Sequence, residues 1–326
     1  MRQSSLFEKI KKSKILISLI GCMALTATSQ AVAKYPERNI TMLVPYGPGG
    51  LSDTMGRLMA NALEKDLNAT IAVVNKKGAA GTVGLTAVSR AKADGYTILM
   101  APAGPLINQP HLRKLPYDIS SFTYVCQFFA APLALSVKTG SEFKSMREVI
   151  AFAKNNPDKL TYGTAGPGSI PHVSMIRLLM GTGTKMRHVP MAGDAGAAKA
   201  LLGGHIDLGM LNTTTLAKNK SVQGMTIFAD ERSKLFPNLE TAKEGGFDFS
   251  LSVFGGVIAP KGIPEEARKT LESACERITK TADFANHMKK LSTTLQFRGS
   301  AAFEKLVRDD FTESGKAIKS VGLGAN

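Results

Sequence analysis

Few residues in this chain have the types and spacing that catalysis needs. Ser169 and His172 lie three apart and suggest a nucleophile and its base, which would make the protein an exported hydrolase. No G-x-S-x-G elbow surrounds Ser169, however. Gly-Ser-Ile-Pro-His at a helix start reads more simply as an N-cap followed by a histidine. The five histidines (His111, His172, His188, His205, His287) show no ligand spacing, so no metal is expected. No carboxylate pair stands out for acid–base work. No glycine loop runs on into Gly-Lys-Ser/Thr, and G-x-G-x-x-G is missing from the first strand–helix turn, so no nucleotide cofactor is expected either. What recurs is a different chemistry: glycine loops with short hydroxyls, at residues 45–50, 75–82, 164–172 and 191–196. Such loops offer backbone N–H groups, and the helices after them offer positive dipole ends. Together they suit a carboxylate.

The elements that must hold these loops are strands and helices in alternation. Residues 40–44 read as a buried strand, and Met55, Leu58, Met59, Ala62 and Leu63 mark a helix face after the loop. Strands are expected at 71–74 and 96–100, with a helix at 83–91 between them. Two more are expected at 122–129 and 133–137, split by Ala130-Ala131-Pro132. Further strands fall at 159–163, 186–190, 206–210, 225–229 and 254–258. Helices fall at 145–154, 173–180, 197–202, 265–279 and 303–319. This is an α/β pattern of parallel strands with helices on both faces. The units come in two sets, which predicts two doubly wound lobes around a ligand cleft. Lobe 1 is 34–130 plus 255–326, and lobe 2 is 131–254. The glycine loops all follow strand carboxyl ends, where ligands of such folds sit.

The 326 residues are 44% apolar with a net charge of +15. Five bases and one acid precede residue 34, leaving +11 on the rest. That charge attracts anions. Nucleic acid is not expected, because the lysines are scattered, Trp is absent and no recognition motif is present. Binding of envelope polyanions is a weaker alternative. Residues 1–33 read as a signal peptide, with a basic stretch at 9–14, a short apolar core and Ala31-Val32-Ala33 as the cleavage site. Leu19-Ile20-Gly21-Cys22 offers the alternative of a lipid anchor on Cys22. Either route predicts an exported, periplasmic protein. Cys126 and Cys275 fit no metal or redox spacing; two unpaired, partly buried thiols are the simpler expectation, with a disulfide between them as the alternative.

A series of segments then matches one family. They include Val44-Pro45-Tyr46-Gly47-Pro48-Gly49-Gly50 with Asp53 and Arg57, and Val74-Asn75 with Gly78-Ala79-Ala80-Gly81-Thr82-Val83-Gly84. Asp94-Gly95-Tyr96-Thr97, Asn156-Pro157-Asp158-Lys159-Leu160-Thr161-Tyr162-Gly163-Thr164-Ala165-Gly166, Gly168-Ser169 with His172, His188-Val189-Pro190, Gly203-Gly204 with Asp207 and Ala259-Pro260 follow in order. The chain resembles the periplasmic substrate-binding proteins of tripartite tricarboxylate transporters, the TctC or Bug type. The resemblance implies a type II periplasmic-binding-protein fold, a monomeric receptor rather than an enzyme, small carboxylates as ligands, and the membrane permease subunits as partners. It implies binding by Tyr46, Gly47, Gly49, Gly50, Ser52 and Asp53, by Gly78, Ala79 and Thr82, and by Thr164, Ala165, Gly166, Ser169 and His172. Met191 and Asp207 complete the expected ligand-binding set. Asp53 would repel a carboxylate set against it, so it braces the loop backbone or meets a ligand amine. Where the family usually has an aromatic and a base after Val-Pro, this chain has Met191-Ala192-Gly193-Asp194. That departure favours a ligand less strongly anionic than citrate, with Asp194 facing a ligand amine or simply the solvent.

Overall fold

In the computed structural model, which describes residues 35–191, 193–248 and 251–324, the sheet grows outward from β1 (Ile40–Val44). The expected signal peptide and Cys22 lie outside the described residues. The apolar ITMLV run leads through the first glycine loop into α1 (Leu51–Leu67), whose Met55, Met59 and Leu63 are fully buried. Asn68 ends that helix in the left-handed conformation, a residue type that tolerates it. Next come β2 (Ile71–Asn75), α2 (Thr82–Ser89), β3 (Thr97–Pro102) and a turn of π-helix at Gly104–Asn108 that runs into α3 (Gln109–Leu112).

The centre of the sheet is β4 (Phe122–Lys138), 17 residues long and buried on nearly every one. Two strands were expected here, with Pro132 between them. The structure makes one, because Pro132 sits where the strand changes neighbours. Residues 122–132 pair antiparallel with β9 (Ser252–Pro260), and part of the same stretch with β10 (Thr294–Gly299). From Leu133 onward the partners are β7 (Leu208–Asn212) and β8 (Val222–Ile227). A proline is tolerated at such a junction.

The other half-sheet follows β4 in sequence: α4 (Met146–Asn155), β5 (Thr161–Thr164), α5 (Ile170–Thr182), β6 (Arg187–Pro190), α6 (Gly193–Leu202), and then α7 (Thr213–Lys218) after β7. Ser145 and Ser169 cap α4 and α5 with their hydroxyls, and Gly183 closes α5. The chain ends with α8 (Glu265–Thr279), α9 (Ala282–Lys290), β10 and α10 (Ser300–Ser320). The main strand order is β2-β1-β3-β9-β4-β7-β5-β6, with β8 and β10 also paired to β4. Parallel pairing joins β1 to β2 and β3, and β5 to β6 and β7. The described residues from Arg38 to Gly324 pack as one compact unit.

The cysteines correct an expectation. Cys126 on β4 and Cys275 on α8 form a disulfide, with Cα atoms 6.5 Å apart. Helix α8 lies across β4 and brings residues 149 positions apart into bridging range, which their separation in sequence concealed.

Candidate functional site

At the carboxyl ends of β1 and β2 the loops are tied together by one carboxylate. Asp53, in the first turn of α1, is buried. Its oxygens accept from the Gly49 N–H (2.9 Å), from Arg57 Nε (3.1 Å to each oxygen) and from Asn75 Nδ2 (2.8 Å). Asn75 also donates to the Tyr46 carbonyl (2.8 Å) and accepts from Arg57 Nη2 (3.0 Å). Burial alone would raise the Asp53 pKa. The bonds from Arg57, Asn75 and Gly49 outweigh it and hold the carboxyl below its usual range. Asp53 is thus consumed by the loop it was expected either to brace or to leave for a ligand amine. Gly47 and Ser52 are half-buried beside it, and Gly49 and Gly50 are exposed. The opening amides of α1 have no acceptor within the helix.

The second loop leans on the first. Gly78, Ala79, Ala80 and Gly81 all have positive φ, an unusual run for two alanines. The Tyr46 hydroxyl donates to the Ala80 carbonyl (3.1 Å), and Thr82 Oγ1 to the Ala79 carbonyl (2.9 Å). A Cβ on Gly81 would lie 3.1 Å from the Tyr46 ring and 3.0 Å from Pro105, so only glycine fits. Burial pushes the Tyr46 phenol up to about 12, so it is a neutral donor at all ordinary pH. The amides of Ala79 and Ala80 open a short 3₁₀ turn and have no acceptor within it. This surface offers neutral donors, with Lys76 and Lys77 exposed in the same loop.

In the other half, Thr164 ends β5, and its hydroxyl bonds His188 Nε2 (2.8 Å). The rings of His188 and His172 stack 3.9 Å apart at 14°, and Tyr162 stacks on His188 at 5.1 Å. Ala165 and Gly166 are half-buried in the loop after Thr164. Gly168 donates its N–H to His172 Nδ1 (3.0 Å), so that nitrogen carries no proton. Burial and the neighbouring His188 depress the His172 pKa to about 4. Ser169 Oγ accepts from the His172 backbone N–H (3.3 Å), as an N-cap does. The imidazole nitrogen that a base would use is turned to Gly168 instead, so these two residues are not arranged as nucleophile and base. The same loop meets the first half: Asn108 Nδ2 donates to the Gly168 carbonyl (3.0 Å), and Leu112 packs on Gly168.

Met191 follows β6, and its N–H bonds the Thr164 carbonyl (3.2 Å), which places it beside the Thr164 loop. Asp207 is not brought to this end. It accepts from both the N–H and the hydroxyl of Thr161 (2.7 Å each), the first residue of β5. That is the amino end of the strand, opposite Thr164. Three groups were not singled out as site residues from the sequence and sit with the loops: Asn75, Asn212 and Thr213. Asn75 and Asn212 end strands, and Thr213 follows at once, which is the only signal they carried. Asp194, expected to face a ligand amine or simply the solvent, also belongs here. Asn212 N–H donates to Asp194 Oδ2 (3.0 Å), and burial pushes the Asp194 carboxyl up to about 6.

Comparison with known proteins agrees with this architecture. The chain is 30% identical over 318 residues to an Agrobacterium vitis protein, the UPF0065 protein of the ttuE–ttuC' intergenic region, covering 95% of this chain and 92% of that one. A TctC solute-binding protein from Polaromonas superposes with a TM-score of 0.81 at 28% identity, over 88% of this chain and all of that one. MatC from Rhodopseudomonas palustris, solved with bound malate, superposes with a TM-score of 0.70 at 27% identity, over 87% of this chain and all of that one. The family model described as the tripartite tricarboxylate transporter family receptor matches residues 55–323, and the chain belongs to that family.

Proposed function

We propose that this receptor-family protein captures a small carboxylate between the loops of its two half-sheets and delivers it to a tripartite tricarboxylate transporter permease. It works as an exported, periplasmic monomer without catalysing a reaction. The observation that carries the proposal is the set of loops at strand carboxyl ends in both halves, rich in amides and short hydroxyls, with Asn108 reaching across to Gly168. The change of partners at Pro132/Leu133 supports a two-lobed arrangement, residues 34–130 plus 255–326 against 131–254. The malate held by MatC, a relative of the same fold, supports a carboxylate ligand here. Within the candidate set, the amides of Gly50, Ser52, Gly78 and Ala79 would take the carboxylate, with Gly49 held to Asp53 and Tyr46 and Thr82 shaping that surface. Thr164, Ala165, Gly166, Ser169 and Met191 would close over it. The hydrolase alternative lacks its base, because His172 Nδ1 is held by Gly168.

A thermal-shift and calorimetric screen of C4 to C6 carboxylates tests this. A ligand at a hundred times its Kd stabilises the fold by about 2.7 kcal/mol, with no turnover. No stabilisation by any of them at millimolar concentration would sink the proposal.

A further inference from the structure

Buried polar atoms in folded proteins nearly always have partners, so the exceptions carry information. Two such exceptions lie on adjoining loops at the carboxyl end of the second half-sheet. Asp194 Oδ1 and Thr213 Oγ1 are both shut off from solvent, and neither has a hydrogen-bond partner among the described residues. They belong to one constellation. Asp194 stands in the first turn of α6, ten residues long, and its other oxygen is held by the N–H of Asn212, the residue before Thr213. This contact fixes where the carboxyl stands and leaves one oxygen unused.

Strand topology places this oxygen among the ligand loops. Strand β5 pairs in parallel with β6 and β7, so Thr164, Met191 and Asn212 all follow the same ends of adjacent strands. Met191, three residues before Asp194, is bonded to Thr164. In the first half the loop carboxylate is already matched, because Asp53 is covered by Arg57, Asn75 and Gly49. The second half therefore holds the unmatched negative group, and the first half holds unmatched amide donors.

We propose that Asp194 Oδ1, with Thr213 Oγ1, is the subsite for an ammonium group on the ligand, so that the captured carboxylate is an amino acid. This rests on the carboxylate-receptor reading above. An ionised oxygen closed off from water needs a donor, and a cation supplies both a donor and the opposite charge. A ligand hydroxyl supplies a donor alone. A plain dicarboxylate supplies neither and sets a second anion near the first.

The test uses two matched skeletons that differ only at one carbon: succinate, malate and aspartate, then adipate and 2-aminoadipate. Binding to the whole mature protein is measured by calorimetry for the wild type and for Asp194→Asn and Thr213→Val, each checked for a cooperative melt. The expected order is aspartate tightest, then malate, then succinate. The first and last should differ by about tenfold or more, the effect of one charge-assisted bond. Asp194→Asn should bring the amino and plain acids of each skeleton within about twofold, and Thr213→Val should narrow the gap partway. If the wild type binds the plain acids as tightly as the amino acids, the subsite is refuted while the receptor reading stands. The same follows if Asp194→Asn leaves the order unchanged. If no acid of either skeleton binds, both fall together.

Discussion

Asp53 and Asp194 occupy matching places, each in the first turn of a helix that follows a strand and a glycine loop, one in each half-sheet. Their surroundings push them in opposite directions. Asp53 lies between a guanidinium, an amide side chain and a loop N–H, and its carboxyl is held below the usual range. Asp194 has one backbone N–H on Oδ2 and nothing on Oδ1, and burial pushes it up to about 6. The first is a finished structural tie. The second is left incomplete, at a cost to the unliganded fold. A helix N-terminus stabilises negative charge in both places, so the dipole does not explain the contrast. The difference lies in the donors that neighbouring strands supply: β2 ends in Asn75, which bonds Asp53 through its side chain, whereas β7 ends in Asn212, which bonds Asp194 through its backbone alone.

If Asp53 is a tie, removing it should damage the loop without regard to ligand chemistry. Asp53→Ala leaves Asn75 and Gly49 without their acceptor and should destabilise the fold by about 2–4 kcal/mol, measured by urea denaturation. Whatever affinity survives should fall by the same factor for an amino acid and for a plain dicarboxylate. A selective loss of the amino acid would return the amine-binding role to Asp53 and erase the contrast.

The sequence showed one side of this comparison better than the other. The strand at 40–44, the glycine loop and the α1 face were legible from apolar period and turn residues, and Asp53 and Arg57 stand at the i, i+4 spacing of a helical ion pair. The third member was hidden. Asn75 reaches Asp53 only because β1 and β2 pair with Val44 opposite Asn75, a register no local pattern reveals. The same limit applies to Asp207, which follows a glycine turn much as the site loops do. Only the pairing of Tyr162 with Leu208 puts it at the amino end of β5. It applies again to the disulfide, which needs α8 to cross β4. The short elements α7, α9 and β10 were not expected at all. Helix α7 has six residues, three of them threonine, and β10 shows no alternation of buried and exposed positions. Their order comes from packing on stronger neighbours rather than from their own pattern.

The two halves should also part company in acid. The first-half tie depends on an ionised Asp53 with a depressed pKa, so it persists until the pH falls below the ordinary carboxylate range. The second-half loop depends on a neutral His172, whose Nδ1 accepts from Gly168. An unfolded histidine takes up its proton near pH 6.5, whereas His172 in the fold resists until about pH 4. The unfolded state therefore binds more protons in that interval, and stability falls as pH drops from about 6.5 to about 4. The loss should be about 1–3 kcal/mol. His172→Gln should flatten this slope in denaturation curves taken across the interval. An unchanged slope would show that other groups set the acid response.

The smallest effect has the opposite sign. Asp194 in the fold keeps its proton up to about pH 6, while an unfolded aspartate releases it near 3.9. Between those values the native state binds more protons, so this residue makes stability fall as pH rises through the window, and the cost remains at neutral pH. Asp194→Asn keeps an acceptor for the Asn212 N–H and removes the charge. It should raise stability at pH 7 on the order of 1 kcal/mol and abolish the fall between about pH 4 and 6. The same exchange at Asp53 should lower stability at pH 7, because there the charge is fully met. Equal signs at the two positions, in paired melts at pH 5 and pH 7, would mean that Asp194 is satisfied after all. Opposite signs would show that the fold carries an unmet charge in its second half, where a ligand's own charge would be most strongly felt.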